Sequence, residues 1–358
     1  MTRTHHRARH LPLALVLGAA TLLAGARPGW ADDSATSTKA EHTPMACDRK
    51  IPVAELDSIK APKAAKPYRI ELSVPSLANP YIVAVIYGAT LAAKDAGVTL
   101  GIDAGKGFMD PASQIREVEN ALSRKTDALL INPADPNGMV ATIDDTVDSG
   151  IPVFDVGTLS SSTKSYKVVQ DDYSQGGIAA DIIGKMLPKG GSGIVQGGPA
   201  NATWARRRVA GFTDAIKAFP GITISVVTNE DINPTQGLEK FSDAAQAHPR
   251  VDWIYATFNI LLPPPSIPPE YKGAVYVGGA YDPIMVASLK DGSAAAAIPD
   301  FPVSVGYIGV ASAVERLNGA TVPMRTCIPS TAITKADVTD PVWAKTNSIP
   351  AGWTVPGG

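Results

Sequence analysis

The sequence predicts an α/β protein of two similar lobes, each a doubly wound parallel sheet with helices on both faces. Three observations carry this expectation. Between Tyr68 and Gly157, short β-branched runs alternate with amphipathic runs, at the roughly 30-residue spacing of parallel strands joined by right-handed crossovers. The same alternation begins again at Ser174 and runs to Asn318. The chain is 358 residues long, and at about 150 residues per domain that length suggests two.

In the first lobe the strands are expected at residues 69–74, 98–102, 128–131 and 151–154. Between them, Ile82/Val85/Ile86/Ala89, Ile115/Val118/Leu122 and Met139/Val140/Ile143/Val147 recur at the helical period and mark buried stripes. Asn79-Pro80, Asp110-Pro111 and Asp135-Pro136 stand just before these helical runs. Asn and Asp accept a hydrogen bond from the first free N–H groups of a helix, and proline suits its first position. Such caps lie at the carboxyl ends of the strands, where open α/β sheets bind ligands.

Val168-Val169 and the Asp171-Asp172 turn lead into the second lobe. There the helices are expected at 174–187, 203–219, 235–247, from 283, and at 303–318. The strands are expected at 193–196, 222–228, 251–257, 274–278 and 294–298. Asn318-Gly319 is a helix stop. A helix is also due between 257 and 274, but residues 262–269 hold five prolines. Proline removes backbone donors and blocks a regular helix, so a loop or polyproline connection on the rim is expected.

The chain opens with Arg3, Arg7 and Arg9, an apolar run over residues 11–24, and Gly29-Trp30-Ala31. This is the pattern of a secretory signal peptide, residues 1–31, cleaved after Ala31. The run is too short to span a bilayer, which takes about 20 apolar residues. Cleavage removes four basic residues and no acidic one, moving the net charge from −2 to −6. An acidic exported chain is a poor partner for nucleic acid or anionic membrane. Residues 32–67, polar and proline-containing, are expected as an extended leader, loosely held except at Cys47. Cys47 and Cys327 are the only cysteines, and in an oxidising compartment an even count reads first as one disulfide. Two free thiols are the alternative.

Catalytic material is sparse. Three of the five histidines fall within residues 1–10, and no G-x-S-x-G, H-E-x-x-H or C-x-x-C is present. No metal site, cofactor or catalytic residue is expected; a carboxylate-dependent hydrolase using Asp155 and Asp300 is a remote alternative. No glycine-rich phosphate loop follows the first strand, which runs into Pro75-Ser-Leu-Ala-Asn79. Binding groups are better supplied. Asn79, Tyr81, Phe108, Asn132, Asp155, Trp204, Arg208, Asn259, Tyr281 and Asp300 fall at expected strand ends and helix starts, with Asp135, Arg206, Asn233 and Asp282 beside them. Aromatic faces with amide, carboxylate and guanidinium groups suit a small polar ligand.

With these residues in view, the chain resembles the type I periplasmic binding proteins of the ribose-binding class, which include the ligand domains of LacI-like repressors. The markers, over about residues 69–333, are Val74-Pro-Ser-Leu-Ala-Asn-Pro-Tyr81, Ala128-Leu-Leu-Ile-Asn-Pro-Ala-Asp135, Gly150-Ile-Pro-Val153, Asp172-Tyr-Ser-Gln-Gly-Gly177 and Arg206-Arg-Arg-Val-Ala-Gly-Phe212. The resemblance implies two Rossmann-like lobes hinged by three crossovers. Residues 68–171 with 301–328 would form the first, residues 172–300 with 329–345 the second, and 346–358 a tail. It implies a periplasmic monomer that closes on a sugar or similar solute and delivers it to an inner-membrane ABC permease. Asn79, Tyr81, Asn132, Arg208 and Asn259 match family ligand contacts by position, and Asp300 stands where the family often has glutamine. The chain departs from the sugar binders in having Gly157-Thr158 for Asp-Arg and Gly278-Gly-Ala-Tyr-Asp282 for Gly-Phe-Asp. Tyr87-Gly88, Asp103-Ala-Gly-Lys-Gly-Phe108, Gln114-Ile115 and Ala280-Tyr281 are similar to periplasmic trimethylamine N-oxide sensors. That branch implies signalling to a membrane histidine kinase, and aromatic walls around a methylated cation.

Overall fold

The structure, a computed structural model, describes residues 41–356; the expected signal peptide and residues 32–40 of the leader lie outside them. Two parallel sheets form. In the first lobe, strands β1 (Arg49–Lys50), β2 (Arg69–Val74), β3 (Thr99–Ala104), β4 (Ala128–Ile131), β5 (Val153–Val156), β6 (Tyr166–Gln170) and β12 (Arg325–Ile328) run in the order β1-β12-β6-β5-β4-β2-β3. In the second, β7 (Gly191–Gln196), β8 (Ile222–Thr228), β9 (Trp253–Ala256), β10 (Val275–Gly279) and β11 (Ala296–Ile298) run in the order β11-β10-β9-β7-β8. Ile70, Leu72, Leu129, Leu130, Phe154, Ile254 and Val277 are fully buried, as strands covered on both faces require.

The helices are α1 (Pro80–Ala96), α2 (Pro111–Leu122), α3 (Val140–Asp148), α4 (Asp172–Met186), α5 (Thr203–Ala215), α6 (Pro234–Ala247), α7 (Pro283–Asp291), α8 (Pro302–Leu317) and α9 (Pro341–Asn347). Asn79 and Asp110 cap α1 and α2 by accepting from the Tyr81 and Ser113 N–H groups, both at 2.9 Å. Asp135 instead closes a turn on the N–H groups of Asn137 and Gly138, and α3 starts later. One helix pair in each lobe packs with backbones nearly touching. A Cβ on Gly88 or Gly306 would strike the facing helix of the α1/α8 pair, and one on Gly176 or Gly211 would do so in α4/α5. These four glycines are there for close approach.

The chain passes between the sheets after β6, after β11 and after β12, the last passage ending where Ile333 bridges Ala297. Phe301, in the second passage, has a left-handed backbone (φ 53°), and its N–H is held by Asn347 Oδ1 at 2.9 Å.

Three expectations need correction. The leader, where described, is not loosely held. Arg49–Lys50 adds an edge strand to β12, and Cys47 is disulfide-bonded to Cys327 with their Cα atoms 5.9 Å apart. Met45, Ile51, Leu56 and Ala61 are buried, so apolar residues scattered through a polar segment suffice to dock it. Its start reaches the second lobe, where Glu41 pairs with Arg206 at 2.6 Å and His42 bonds Asp214 at 2.6 Å. The proline run forms no regular helix, as expected, but it is partly buried rather than a plain rim loop. It forms two 3-10 turns, Pro264–Ser266 and Pro269–Tyr271, in the place of a crossover helix. Leu261, Leu262 and Ile267 are buried there, and the Leu262 carbonyl accepts from the Tyr276 hydroxyl at 2.8 Å. The tail boundary moves: the expected start at 346 falls inside α9, and beyond it Trp353 meets Tyr87 edge-on at 5.1 Å.

Candidate ligand-binding site

The strands of both sheets end on one cleft. From the first lobe, Asn79 follows β2, Phe108 follows β3, Asn132 follows β4, Gly157 and Thr158 follow β5, and Gln170 ends β6. Trp204 and Arg208 on α5, Ile232 before α6, Phe258 after β9 and Asp300 after β11 line it from the second. The empty space between these residues is about 420 Å³, with the open solvent at its mouth included. Tyr81, Phe108, Trp204 and Phe258 give it aromatic walls, and Trp204 meets Phe258 edge-on at 6.2 Å.

Its floor is ionic. Arg208 donates from Nε and Nη2 to Asp172 Oδ1 (3.0 and 2.9 Å), from Nη2 to Asp300 Oδ1 (2.7 Å) and from Nη1 to the Thr257 carbonyl (2.7 Å). Gln175 Nε2 donates to the same Asp300 oxygen at 3.0 Å. The guanidinium also lies 5.0 Å from the Trp204 ring centre, a cation–π contact. Burial pulls the Arg208 guanidinium down, but Asp300 and Asp172 outweigh it and raise it. Burial pushes the Asp172 carboxyl up to about 6 against the pull of Arg208. The Tyr81 hydroxyl is driven well above its usual range by burial and then by Asp300 and Asp172.

Seven of the ten expected ligand residues meet in this cleft: Asn79, Tyr81, Phe108, Asn132, Trp204, Arg208 and Asp300. Three do not line it. Asp155 lies inside β5, fully buried, and Oδ2 accepts from Lys167 Nζ (2.5 Å) and from Ser160 N and Oγ (both 2.7 Å). Burial lowers the Lys167 ammonium while Asp155 opposes it; the pair fastens β5 to β6. Asn259 is buried, donating to Asp282 Oδ2 at 2.6 Å. Tyr281 donates to the Val338 carbonyl at 3.1 Å and lines an adjoining space with Tyr81, Phe258, Asp282 and Asp300. Among their neighbours in sequence, Arg206 pairs with Glu41, while Asn233 and Asp282 cap α6 and α7.

Sequence reading missed Gln170, Thr158, Ile232, Phe258 and the part of Asp172. Asp172 and Arg208 are 36 positions apart, so only the fold pairs them. Phe258 sits one residue before Asn259, within the uncertainty of where a strand ends. Among the described residues, no group of His, Cys, Asp or Glu could hold a metal ion. No described helix is long and apolar enough to cross a membrane.

Two lobes of parallel sheet, joined by three strand passages and sharing one cleft at their carboxyl ends, define a two-lobed solute-binding receptor. The chain belongs to the periplasmic binding protein domain family, whose model matches residues 70–321. It is 30% identical over 294 residues to a D-ribose/D-allose-binding protein of Pseudomonas aeruginosa, covering 77% of this chain and 89% of that one. To the ribose import binding protein of Bacillus subtilis it is 28% identical over 276 residues, 73% of this chain and 88% of the relative. Its fold matches the substrate-binding protein of a sugar ABC transport system from Bordetella parapertussis, with a TM-score of 0.79 at 19% identity, over 84% of this chain and all of that one.

Proposed function

We propose that this protein is exported by residues 1–31 to the periplasm, captures a monosaccharide or similar polyol between its lobes, and hands it to an ABC permease. The observation that carries this reading is the shared cleft. Aromatic faces from both lobes stand beside the amides of Asn79, Asn132 and Gln170 and the carboxylate of Asp300, the mixture that flat, hydroxyl-rich rings require. The relatives named for ribose and for allose support the same class of ligand.

The mechanism is lobe closure. A solute touching Asn79, Asn132 and Tyr81 on one side and Trp204, Arg208 and Asp300 on the other binds the closed form better than the open one. That difference in affinity shifts the population toward closure. The three strand passages are the hinge, and closure leaves the solute chemically unchanged.

A thermal-shift screen of pentoses, hexoses, polyols and methylamines tests the reading. A ligand at 100 times its Kd stabilises the folded state by about 2.7 kcal/mol, so a binding sugar raises the melting temperature by several degrees. Stabilisation by methylamines alone would replace the sugar reading with that of a methylamine sensor.

A further inference from the structure

We infer that the cleft selects by charge, taking neutral polyols and rejecting their acid counterparts, because its one cation is already held by two carboxylates. The inference rests on the reading of the cleft as a sugar site, and deepens it. Among the described residues, Arg208 and Asp300 are the only charged ones lining the cleft. An arginine at such a place is the natural receptor for a ligand carboxylate or phosphate. Here four of its five N–H groups are already used: Nε and Nη2 are bound to Asp172 and Asp300, and Nη1 to the Thr257 carbonyl. Two carboxylates against one guanidinium leave the floor with a net negative charge. The adjoining space adds Asp282 and, among the described residues, is lined by no cation. Burial raises the Tyr81 hydroxyl most, and Asp300 and Asp172 add to that rise while Arg208 opposes it.

Neutral hydroxyl ligands suit this floor. Among the described residues Asp300 Oδ2 accepts no hydrogen bond, and Gln170 Oε1 is buried near the Tyr81 hydroxyl with no other partner. Both are acceptors. A ligand hydroxyl can donate to them, whereas a ligand carboxylate can only repel Asp300.

The experiment is a paired titration of the full exported chain by calorimetry and thermal shift. It uses D-ribose with D-ribonate, D-galactose with D-galacturonate and D-glucose with D-glucuronate, and adds trimethylamine N-oxide and choline. Whichever neutral sugar binds should bind at least a hundredfold tighter than its acid. Asp300→Asn, which removes one negative charge from the floor, should narrow that ratio by roughly tenfold or more; Asp172→Asn serves the same end if the first variant does not fold. An acid bound within about threefold of its neutral partner, or an acid as the only ligand found, overturns the charge filter. Binding of choline with no sugar bound would sink the sugar reading and leave the filter standing.

Discussion

The two lobes are built alike and fastened differently. Each has a parallel sheet and one helix pair in near backbone contact, α1/α8 with Gly88 and Gly306, α4/α5 with Gly176 and Gly211. In the first lobe the buried charges sit away from the cleft. Glu71 is paired with Arg69 and Arg124, and Asp155 with Lys167. What this lobe shows the solute is neutral: Asn79, Tyr81, Asn132, Thr158 and Gln170. A disulfide between Cys47 and Cys327 closes its sheet edge. The second lobe has no such staple among the described residues, and in its buried cluster Arg208 and Asp300 line the cleft with Asp172 bound behind them. One architecture thus serves as a neutral wall on one side and a charged floor on the other. The α5 helix that carries the floor is also gripped from outside by the leader, through Glu41 and His42.

Breaking the charged floor should have the largest effect. Arg208→Met leaves Asp172 and Asp300 buried and uncompensated, and removing one partner of a buried ion pair costs about 3–5 kcal/mol. Urea unfolding should show that loss, and calorimetry should show ligand binding abolished. A loss below about 1 kcal/mol would mean that the second lobe is not held by its ionic cluster.

The first lobe's staple comes next. Replacing Cys47 and Cys327 together by serine should cost about 2–4 kcal/mol, since the bond joins positions 280 residues apart. Ligand affinity should change little, because neither cysteine lines the cleft. If affinity fell as far as stability, the division between fastening and floor would fail.

A pH series sharpens the contrast further. The folded Asp172 carboxyl titrates at about 6 against an unperturbed 3.8. A group whose folded pKa is raised adds stability that is complete below the unfolded value and is lost as pH rises through the folded one. Wild type should therefore lose ground to Asp172→Asn between about pH 4 and pH 6, by of the order of 2–3 kcal/mol. Thermal melts of the two proteins across that window decide it, and parallel curves would contradict the assignment.

Much of this plan was open to a reader of the sequence, for a physical reason. Strands buried on both faces must be runs such as Ile70 to Val74, and their ends must be capped, so Asn79 and Asn132 stand out. Three features were not open. Asp155 looks like a strand-end ligand, but the strand ends one residue later, at Val156, and in a pleated strand one position decides which face a side chain meets. The proline run hides three buried apolar residues behind a composition that suggests only a loop. The ionic floor depends on α4 meeting α5, which no local pattern encodes.

The smallest expected effect separates capping from ligand contact. Asn79 and Asn233 do the same local work, one in each lobe. Each caps its helix through Oδ1, Asn79 toward the Tyr81 N–H at 2.9 Å and Asn233 toward the Thr235 N–H at 2.9 Å. Replacing either by alanine should cost about 1 kcal/mol. Only Asn79 lines the cleft, where Nδ2 stays available to a ligand while Oδ1 caps the helix. Asn79→Ala should therefore lose ligand affinity roughly tenfold beyond its effect on stability, the worth of one good hydrogen bond, and Asn233→Ala should leave affinity unchanged. Equal affinities in the two variants would show that the cap at the end of β2 is only a cap, and that the neutral wall binds through its aromatic faces alone.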